Sequence, residues 1–388
     1  MESSPAASGP SRVPQASYRL LDKSPAVTSY LRELGRPPAL AIDLEADSLY
    51  SYQEKACLVQ ITTAAGNVIL DPLGAPEGMQ ELGPLLADGS ILKVFHGADY
   101  DIRLLKKAFG FAPHNIVDTA MAAQLLGRPA FGLAALLSED FGLDLAKGHQ
   151  RDDWARRPLN PQQLLYAALD TAYLLPLWER LRGQLERLGR LEWAEEEFAL
   201  LEQVTPAPPR EPSWLDVKGT THLTPQQRAI LHNLVLVRDE AARSWDRPPF
   251  KVLSDRVLIS WALEPPSTRE QVYRTATANL GILRRLAPRV LAAVHNASEA
   301  NLPRRRLSNG VRFAPLTTEQ KERVVRLKQV REEAAACLGI HPGLLVTSET
   351  LERMARLPAG EVDAGLESSL KRWQRSVLES ELKIVLEV

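Results

Sequence analysis

The chain has 388 residues, of which 45% are hydrophobic and 24% charged, and its formal net charge is −1. This indicates two or three packed domains and excludes a disordered tail or a peptide. No run approaches the ~18 apolar residues of a membrane span, and the start lacks the pattern of a signal peptide, so we expect a cytoplasmic protein. Cys57 and Cys337 lie far apart, which excludes a disulfide framework and a Cys/His zinc site. We therefore expect any metal ion to be held by oxygen.

Charge is unevenly distributed along the chain. Residues 1–200 carry 19 basic and 26 acidic side chains, whereas residues 201–388 carry 28 basic and 22 acidic ones. Within 251–331 the count is 16 basic against 6 acidic. Such a basic stretch attracts phosphate polymers, and this division is typical of a metal-using nuclease with a separate nucleic-acid-binding module. Solvated helix faces would give the same pattern.

Breaks in composition divide the sequence into blocks. Residues 1–17, rich in Ser, Pro, Ala and Gly, are predicted to form a disordered arm. Four prolines within 205–212 (TPAPPREP) predict a linker, because proline lacks the backbone donor that a continuing helix needs. A weaker break lies near 301–315. Three structured blocks are therefore expected.

The first block has an α/β pattern in which strands precede helices. Short apolar runs of strand length lie at 39–46, 57–63, 67–70 and 91–95. Helical periods follow at 102–109 and over 161–188, where Asn160 is a suitable cap and Pro161 suits the first turn. The second block, 223–294, and the third, 317–388, show helical periodicity. Both are predicted to be small all-helical bundles.

Four acidic residues lie on elements where they could act together. In a strand over 39–46, Asp43 and Glu45 share one face, and two carboxylates could bind one hard divalent cation. Asp101 follows a predicted strand-to-helix turn, a common place for functional groups. Tyr166 and Asp170 lie one helical turn apart in an apolar stretch, where an unpaired carboxylate is costly. Each pattern alone also fits solvent-facing acids or helix starts.

The order of these motifs is more specific than any one of them. Asp43-x-Glu45, then an Asp101 motif that begins at His96, then Tyr166-x-x-x-Asp170 resembles the three exonuclease motifs of the DEDDy 3′–5′ exonucleases, and in particular those of the ribonuclease D family. The resemblance covers roughly residues 18–388 and is least specific in the third block.

Two further stretches support this resemblance. Residues 151–181 are similar to the family's tryptophan–arginine–proline segment that leads into the third motif, and the second block is similar to its helicase-and-RNase-D C-terminal (HRDC) domain. One difference is Asp152, which adds a charge beside the expected cleft.

The resemblance implies both an architecture and an activity. The implied fold is an RNase H-like (DnaQ-like) α/β exonuclease domain with a mixed sheet over 18–204, a linker over 205–216, an HRDC domain over 217–298 and a second HRDC-like helical domain over 299–388. The implied activity is 3′–5′ exoribonuclease hydrolysis that trims tRNA precursors and other structured RNAs to release nucleoside 5′-monophosphates. RNA is the expected partner, and a monomer is expected.

The resemblance also implies roles for individual residues. Two Mg²⁺ or Mn²⁺ ions would be held by Asp43, Glu45, Asp101 and Asp170. Asp43 would bridge both ions, Glu45 and Asp170 would help hold the ion that activates water, and Asp101 would support the other. Tyr166 would orient the attacking water, since a phenol with a pKa near 10 is a poor general base.

Other side chains have weaker functional interpretations. A histidine that ends a buried strand, such as His96, is more often structural than a ligand. Tyr100, Phe131 and Trp154 could stack on terminal bases, although core packing is at least as common. The candidates for nucleic-acid contacts are basic: Lys251, Arg256, Arg304, Arg305 and Arg306.

Two alternative functions stay open from the sequence. The same four acids would serve a 3′–5′ DNA exonuclease of the repair or proofreading type, and the contacts that read a 2′-hydroxyl cannot be located. A non-catalytic nucleic-acid-binding scaffold is the second alternative, although all four acids are present.

Overall fold

The computed structural model describes residues 15–145, 148–208, 210–275, 278–302 and 315–387. Residues 1–14 of the predicted arm lie outside the described residues, as do Arg304, Arg305 and Arg306. The described chain packs as two compact units. The sheet unit comprises residues 15–45, 56–206 and 315–387, and the helical unit comprises 46–55 and 207–302.

The sheet unit contains one mixed sheet of six described strands in the order β1-β4-β3-β2-β5-β6. The strands are β1 (Tyr18–Leu21), β2 (Ala39–Ala46), β3 (Ala56–Thr63), β4 (Gly66–Leu70), β5 (Leu92–Phe95) and β6 (Ile116–Asp118). The pairs β1–β4, β2–β5 and β5–β6 are parallel, and β3–β4 is antiparallel. β2 has a neighbour on each side, so its backbone is held along both edges.

The sheet agrees closely with the sequence-based prediction. β2 has the predicted bounds, and β3, β4 and β5 each begin within one residue of the predicted start. β1 and β6 were not predicted, because β6 has only three residues and β1 (YRLL) shows no alternation of polar and apolar residues. The predicted mixed α/β fold is confirmed.

The described part of the sheet unit contains eight α-helices before residue 207. They are α1 (Ser24–Leu34), α2 (Leu82–Ala87), α3 (Asp99–Phe109), α4 (Thr119–Leu125), α5 (Leu133–Phe141), α6 (Pro161–Ala172), α7 (Leu174–Arg187) and α8 (Leu191–Glu202). The prediction of one helix over 161–188 is wrong, because the helix is interrupted at Tyr173 and two helices form. Pro176 lacks the amide hydrogen that would continue the hydrogen bonds of α6 past Tyr173. It lies in the first turn of the new helix α7, where no such donor is needed.

The helical unit has an apolar core of its own. Its helices are α9 (Pro225–Ser244), α10 (Pro249–Val252), α11 (Asp255–Leu263), α12 (Arg269–Tyr273) and α13 (Leu280–His295). Leu231, Leu258 and Ala287 are fully buried in this core. Before it, residues 205–208 and 210–212 of the predicted linker form neither helix nor strand.

The C-terminal helices pack into the sheet unit. They are α14 (Thr318–Leu338), α15 (Pro342–Leu345), α16 (Ser348–Met354), α17 (Val362–Ser369) and α18 (Arg372–Glu387). Their apolar faces share one core with β2, β5, α4, α7 and α8. Residues 315–387 are thus not a third compact unit, and whether their helices are of the HRDC type stays a prediction.

Two contacts show how closely the C-terminal helices approach the rest of the sheet unit. The buried Arg190 guanidinium donates to the carbonyl oxygens of Leu125, 2.7 Å away, and Leu338, 2.6 Å away, which end α4 and α14. A Cβ atom on Gly127 would overlap the carbonyl of Gly339, and φ of +78° at Gly127 also favours glycine. None of the described helices is long and apolar enough to cross a bilayer.

Candidate active site

β2 carries the first two predicted acids on one face of the sheet. Ile42 and Leu44 are buried on the other face, and because side chains alternate along a strand, Asp43 and Glu45 point together the opposite way. Both line a cleft of about 760 Å³. The predicted shared face of these two residues is therefore observed.

The turn between β5 and α3 places Asp101. Gly97 has a φ of +74°, and its amide and that of Ala98 donate to the Asp118 carboxylate over 2.9 and 3.0 Å. α3 then begins at Asp99, and the buried Asp101 lines the cleft from its first turn. Asp118 thus fixes the turn that orients Asp101.

Asp118 is a positioning residue that the sequence reasoning missed. It ends β6 and also caps α4, where its carboxylate accepts from Ala120 over 2.8 Å and Met121 over 3.3 Å. The available signal was an aspartate between a short β-branched run and an alanine-rich helix, which is the pattern of an N-cap.

α6 carries the third motif. Asn160 caps it, as predicted. The hydroxyl of Thr171 lies 2.7 Å from that of Thr62, which ties the helix to β3. Tyr166 and Asp170, one turn apart, both line the cleft.

The structure brings all five predicted catalytic residues to the same cleft. Carboxylate oxygens of Asp43, Glu45 and Asp170 lie within 4.8 Å of one another. Asp101 and Tyr166 line the same cavity. Hard oxygen donors in this number and spacing suit Mg²⁺ or Mn²⁺.

Burial and mutual repulsion disfavour charge on these carboxyl groups. Burial raises the pKa of Asp43 to about 7, and burial followed by the charge of Asp43 raises the pKa of Glu45 to about 10. The pKa values of Asp101 and Asp170 are well above their usual range, first because of burial and then because of Asp43. A divalent cation would offset this repulsion, so the donor set fits such an ion.

Tyr166 is held in its protonated form. Burial, and then the negative charge of Asp170, raise the pKa of its hydroxyl. The protonated hydroxyl hydrogen-bonds the Asp170 carboxylate. The ring centroids of His149 and Trp154 lie 5.7 and 6.1 Å from that of Tyr166. Tyr166 is thus a fixed hydrogen-bond donor rather than a base.

His96 lines the cleft but bonds to the protein. Its Nδ1 lies 2.9 Å from the hydroxyl of Thr119, which donates to the carbonyl oxygen of Phe95 over 3.0 Å, so Nδ1 carries the proton. Burial lowers the pKa of His96. A neutral, hydrogen-bonded ring supports the structural role that the sequence favoured.

The other aromatic candidates differ in exposure. Trp154 is 1% exposed and packs in the core, which leaves it unable to stack on a base. Tyr100 and Phe131 are 46% and 45% exposed, and Tyr100 lines the cleft. Oδ2 of Asp152, the residue that adds a charge in this region, lies 2.8 Å from Nδ1 of His149.

The basic candidates that the structure describes lie in the helical unit. The Lys251 ammonium is 3.9 Å from the ring centroid of Tyr50, and Arg256 is exposed on α11. Their role in binding nucleic acid stays a prediction.

Comparison with known proteins agrees with this geometry. Residues 18–186 match the family model described as 3′–5′ exonuclease, and residues 227–294 match the HRDC domain. The chain is 30% identical to Ribonuclease D of Granulibacter bethesdensis over 368 residues, which cover 92% of this chain and 90% of that protein. Against Ribonuclease D of Xanthomonas oryzae pv. oryzae it is 31% identical over 362 residues, 92% of this chain and 95% of that one.

Solved structures show the same fold. The catalytic core of RRP6 from Trypanosoma brucei is 28% identical with a TM-score of 0.68, covering 74% of this chain and 81% of that one. Escherichia coli RNase D is 24% identical with a TM-score of 0.71, covering 96% and 99%. The chain belongs to the ribonuclease D family of 3′–5′ exonucleases and contains an HRDC domain.

Proposed function

We propose that this exonuclease acts on RNA, trimming the 3′ ends of tRNA precursors and other structured RNAs and releasing nucleoside 5′-monophosphates. One observation carries the proposal: the oxygens of Asp43, Glu45 and Asp170 lie within 4.8 Å of one another in a cleft that Asp101 and Tyr166 also line. RNA is proposed because relatives matched over about nine-tenths of their length are named Ribonuclease D.

The four carboxylates would hold two Mg²⁺ or Mn²⁺ ions. Asp43 would serve both ions, Glu45 and Asp170 would serve one, and Asp101 would serve the other. When bound, such ions make a water molecule more nucleophilic and stabilise charge on the leaving 3′ oxygen. The raised pKa values of the carboxyl groups support this assignment, because only a nearby cation lets so many of them ionise together.

The remaining groups position the reactants. The protonated Tyr166 hydroxyl, fixed next to Asp170, orients the attacking water. Asp118 holds the turn before α3 and thereby keeps Asp101 in the cleft. A cleft of about 760 Å³ has room for the terminal nucleotide of a single strand.

The test compares a 5′-labelled, 3′-extended tRNA-like RNA with the matching DNA, in Mg²⁺ or Mn²⁺ and in EDTA. We expect stepwise shortening of the RNA that EDTA abolishes. Asp43→Asn should fold normally and lose most turnover, while Tyr166→Phe should retain measurable activity, lower by roughly 10- to 100-fold. Asp22→Asn, which changes an exposed aspartate outside the cleft, is the matched control and should behave like wild type.

Three results would contradict the proposal. Normal degradation by Asp43→Asn would remove the metal assignment. Equal or preferred shortening of DNA would make the chain a DNA exonuclease. Shortening of neither polymer would leave a non-catalytic nucleic-acid-binding scaffold.

A further inference from the structure

The ten residues that follow Glu45 cluster with the helices of the helical unit. Residues 46–55 belong to the helical unit, although in sequence they lie inside the exonuclease region 18–186. β2 ends at Ala46, so the strand that carries Asp43 and Glu45 continues directly into this segment. We refer to residues 47–55 as the anchor loop.

Tyr52 and Lys55 fix the anchor loop to helix α9 and to Asp246, two residues after the end of that helix. The Tyr52 hydroxyl donates to the Asp239 carboxylate, whose two oxygens are both 2.9 Å away. The Tyr52 amide donates to Oδ1 of Asp246 over 3.0 Å, and the Lys55 ammonium lies 3.2 Å from Oδ2 of the same residue. Both the backbone and the side chain of Tyr52 are thus fixed by hydrogen bonds to aspartates of the helical unit.

Asp246 has an unusual backbone conformation. Its φ is +45°, in the left-handed region that residues other than glycine seldom adopt, and it lies two residues after the end of α9. Aspartate tolerates this region better than most residues but less well than glycine. A glycine would suit the turn but would lose both contacts to the anchor loop. The two contacts made by the carboxylate therefore explain why an aspartate occupies this strained position.

The anchor loop is also closed on itself next to the catalytic strand. Asp47 is fully buried, and its carboxylate accepts from the Lys55 amide over 2.7 Å and from the Ser51 hydroxyl. Its carbonyl oxygen accepts from the Tyr50 amide over 2.7 Å. Because Asp47 is two residues from Glu45, a displacement of the loop would reach Glu45 through a short stretch of backbone.

We propose that Tyr52 is a positioning residue for Glu45, because it fixes the loop into which the catalytic strand continues. The Tyr52–Asp239 and Tyr52–Asp246 contacts fix the anchor loop, and the loop fixes the backbone after Glu45. The inference rests on the proposed function in that Glu45 must help hold a divalent ion. It makes turnover sensitive to contacts made wholly within the helical unit.

Two variants loosen the anchor loop in different ways. Tyr52→Phe removes only the hydroxyl, with its bonds to Asp239 and the bond that it accepts from Arg243. Asp246→Gly keeps the left-handed turn and removes the carboxylate that holds Tyr52 and Lys55. Tyr273→Phe, which removes a tyrosine hydroxyl elsewhere in the same unit, is the matched control.

The measurements are kcat and KM for RNA trimming in Mn²⁺, the Mn²⁺ Kd by calorimetry, and amide hydrogen exchange over 44–47. We expect both variants to lower kcat and raise the Mn²⁺ Kd by roughly three- to tenfold, with KM for RNA within about twofold of wild type. Exchange over 44–47 should accelerate, and Tyr273→Phe should change none of these values.

Any other pattern overturns the inference. If kcat and the Mn²⁺ Kd of both variants match wild type, the loop does not position Glu45. If only KM changes, the loop contacts RNA instead. The proposed function fails on different results, an inactive wild-type protein or an active Asp43→Asn protein, so the two failures are distinguishable.

Discussion

The two helical regions of this chain have the same sequence pattern but different partners. Helices α9 to α13 pack on one another, and the core of the helical unit is formed largely by their own residues, such as Leu231 and Leu258. Helices α14 to α18 instead contribute to a core in which Leu378 and Leu382 pack together with Leu177 and Leu181 of α7. The first region is a compact unit, and the second completes another one.

The contact between α18 and α8 shows the cost of separating the second region. Trp373 stacks on Trp193 with ring centroids 5.0 Å apart, and its indole nitrogen donates to the Glu197 carboxylate over 2.8 Å. The Lys371 ammonium lies 2.6 Å from both oxygens of Glu197. Removing residues 371–387 would leave Glu197, a buried carboxylate, without these described partners. Apolar periodicity thus identifies the buried face of a helix but does not identify what covers it.

A matched pair of tryptophan variants should show most strongly that the two helical regions stabilise different units. Trp373 and Trp261 are 3% and 4% exposed, and each indole nitrogen donates a hydrogen bond, that of Trp261 to Thr275 over 3.1 Å. Replacement by alanine should cost about 3–5 kcal/mol in either case. Trp373→Ala should destabilise the sheet unit, and Trp261→Ala should destabilise the helical unit.

Calorimetry combined with amide hydrogen exchange assigns each loss to a unit. Exchange in β2 to β5 should accelerate in Trp373→Ala, and exchange in α9 should accelerate in Trp261→Ala. Phe250→Ala, which removes a ring that is 53% exposed, is the control and should stay within about 0.5 kcal/mol of wild type. Normal exchange of the sheet in Trp373→Ala would show that the C-terminal helices do not stabilise it.

A smaller effect is expected at Arg190, whose side chain joins the C-terminal helices to α4. Arg190→Ala should cost about 2–3 kcal/mol of sheet-unit stability, because the carbonyl groups of Leu125 and Leu338 lose a charged donor. Arg190→Lys should restore only part of the lost stability, since a single ammonium cannot reach both carbonyl groups as the two nitrogens of the guanidinium do.

Urea unfolding of the sheet unit measures the Arg190 effect. The control is Arg182→Ala, because Arg182 is 46% exposed and pairs with Glu179 on the surface, and its loss should cost less than about 0.5 kcal/mol. An Arg190→Lys protein as stable as wild type would show that charge alone, rather than the two directed hydrogen bonds, stabilises this contact.

The sequence predicted most of the site because its signals are local. β2 is eight residues long and its burial alternates around the acids, so Asp43 and Glu45 were assigned to one face correctly. Tyr166 and Asp170 are one turn apart on a capped helix, which spacing alone reveals. The meeting of these elements at one cleft was inferred from family resemblance, and the coordinates show it.

Features that depend on distant contacts were not predicted. Asp118 acts on a turn about 20 residues earlier in the chain, the anchor loop packs on α9 almost 200 residues later, and the C-terminal helices pack on α7 and α8. Nothing in the spacing of the residues involved identifies such a partner, because apolar faces and carboxylates each accept many partners.

The smallest expected effect is a pH-dependent change in the stability of the sheet unit. The pKa of Asp43 is raised from 3.8 to about 7 and that of Glu45 from 4.5 to about 10, and both residues lie in the sheet unit. Between these values the folded state binds more protons than the unfolded state, so these two groups make the metal-free sheet unit lose stability as pH rises. His96, whose pKa is lowered, acts in the opposite direction near 6.5. A comparison with Asp43→Asn therefore isolates the carboxylate contribution.

In EDTA at about pH 7.5, Asp43→Asn should stabilise the sheet unit by roughly 1–2 kcal/mol, because an amide carries no charge to bury. The gain should shrink towards pH 5, where the wild-type carboxyl group is already protonated. Excess Mn²⁺ should reverse the order, since only the wild-type cluster offers the full set of charged ligands. Thermal unfolding over this pH range measures all three effects. A pH-independent difference between the two proteins would mean that ordinary packing, rather than charge at the cluster, sets the stability of the sheet unit.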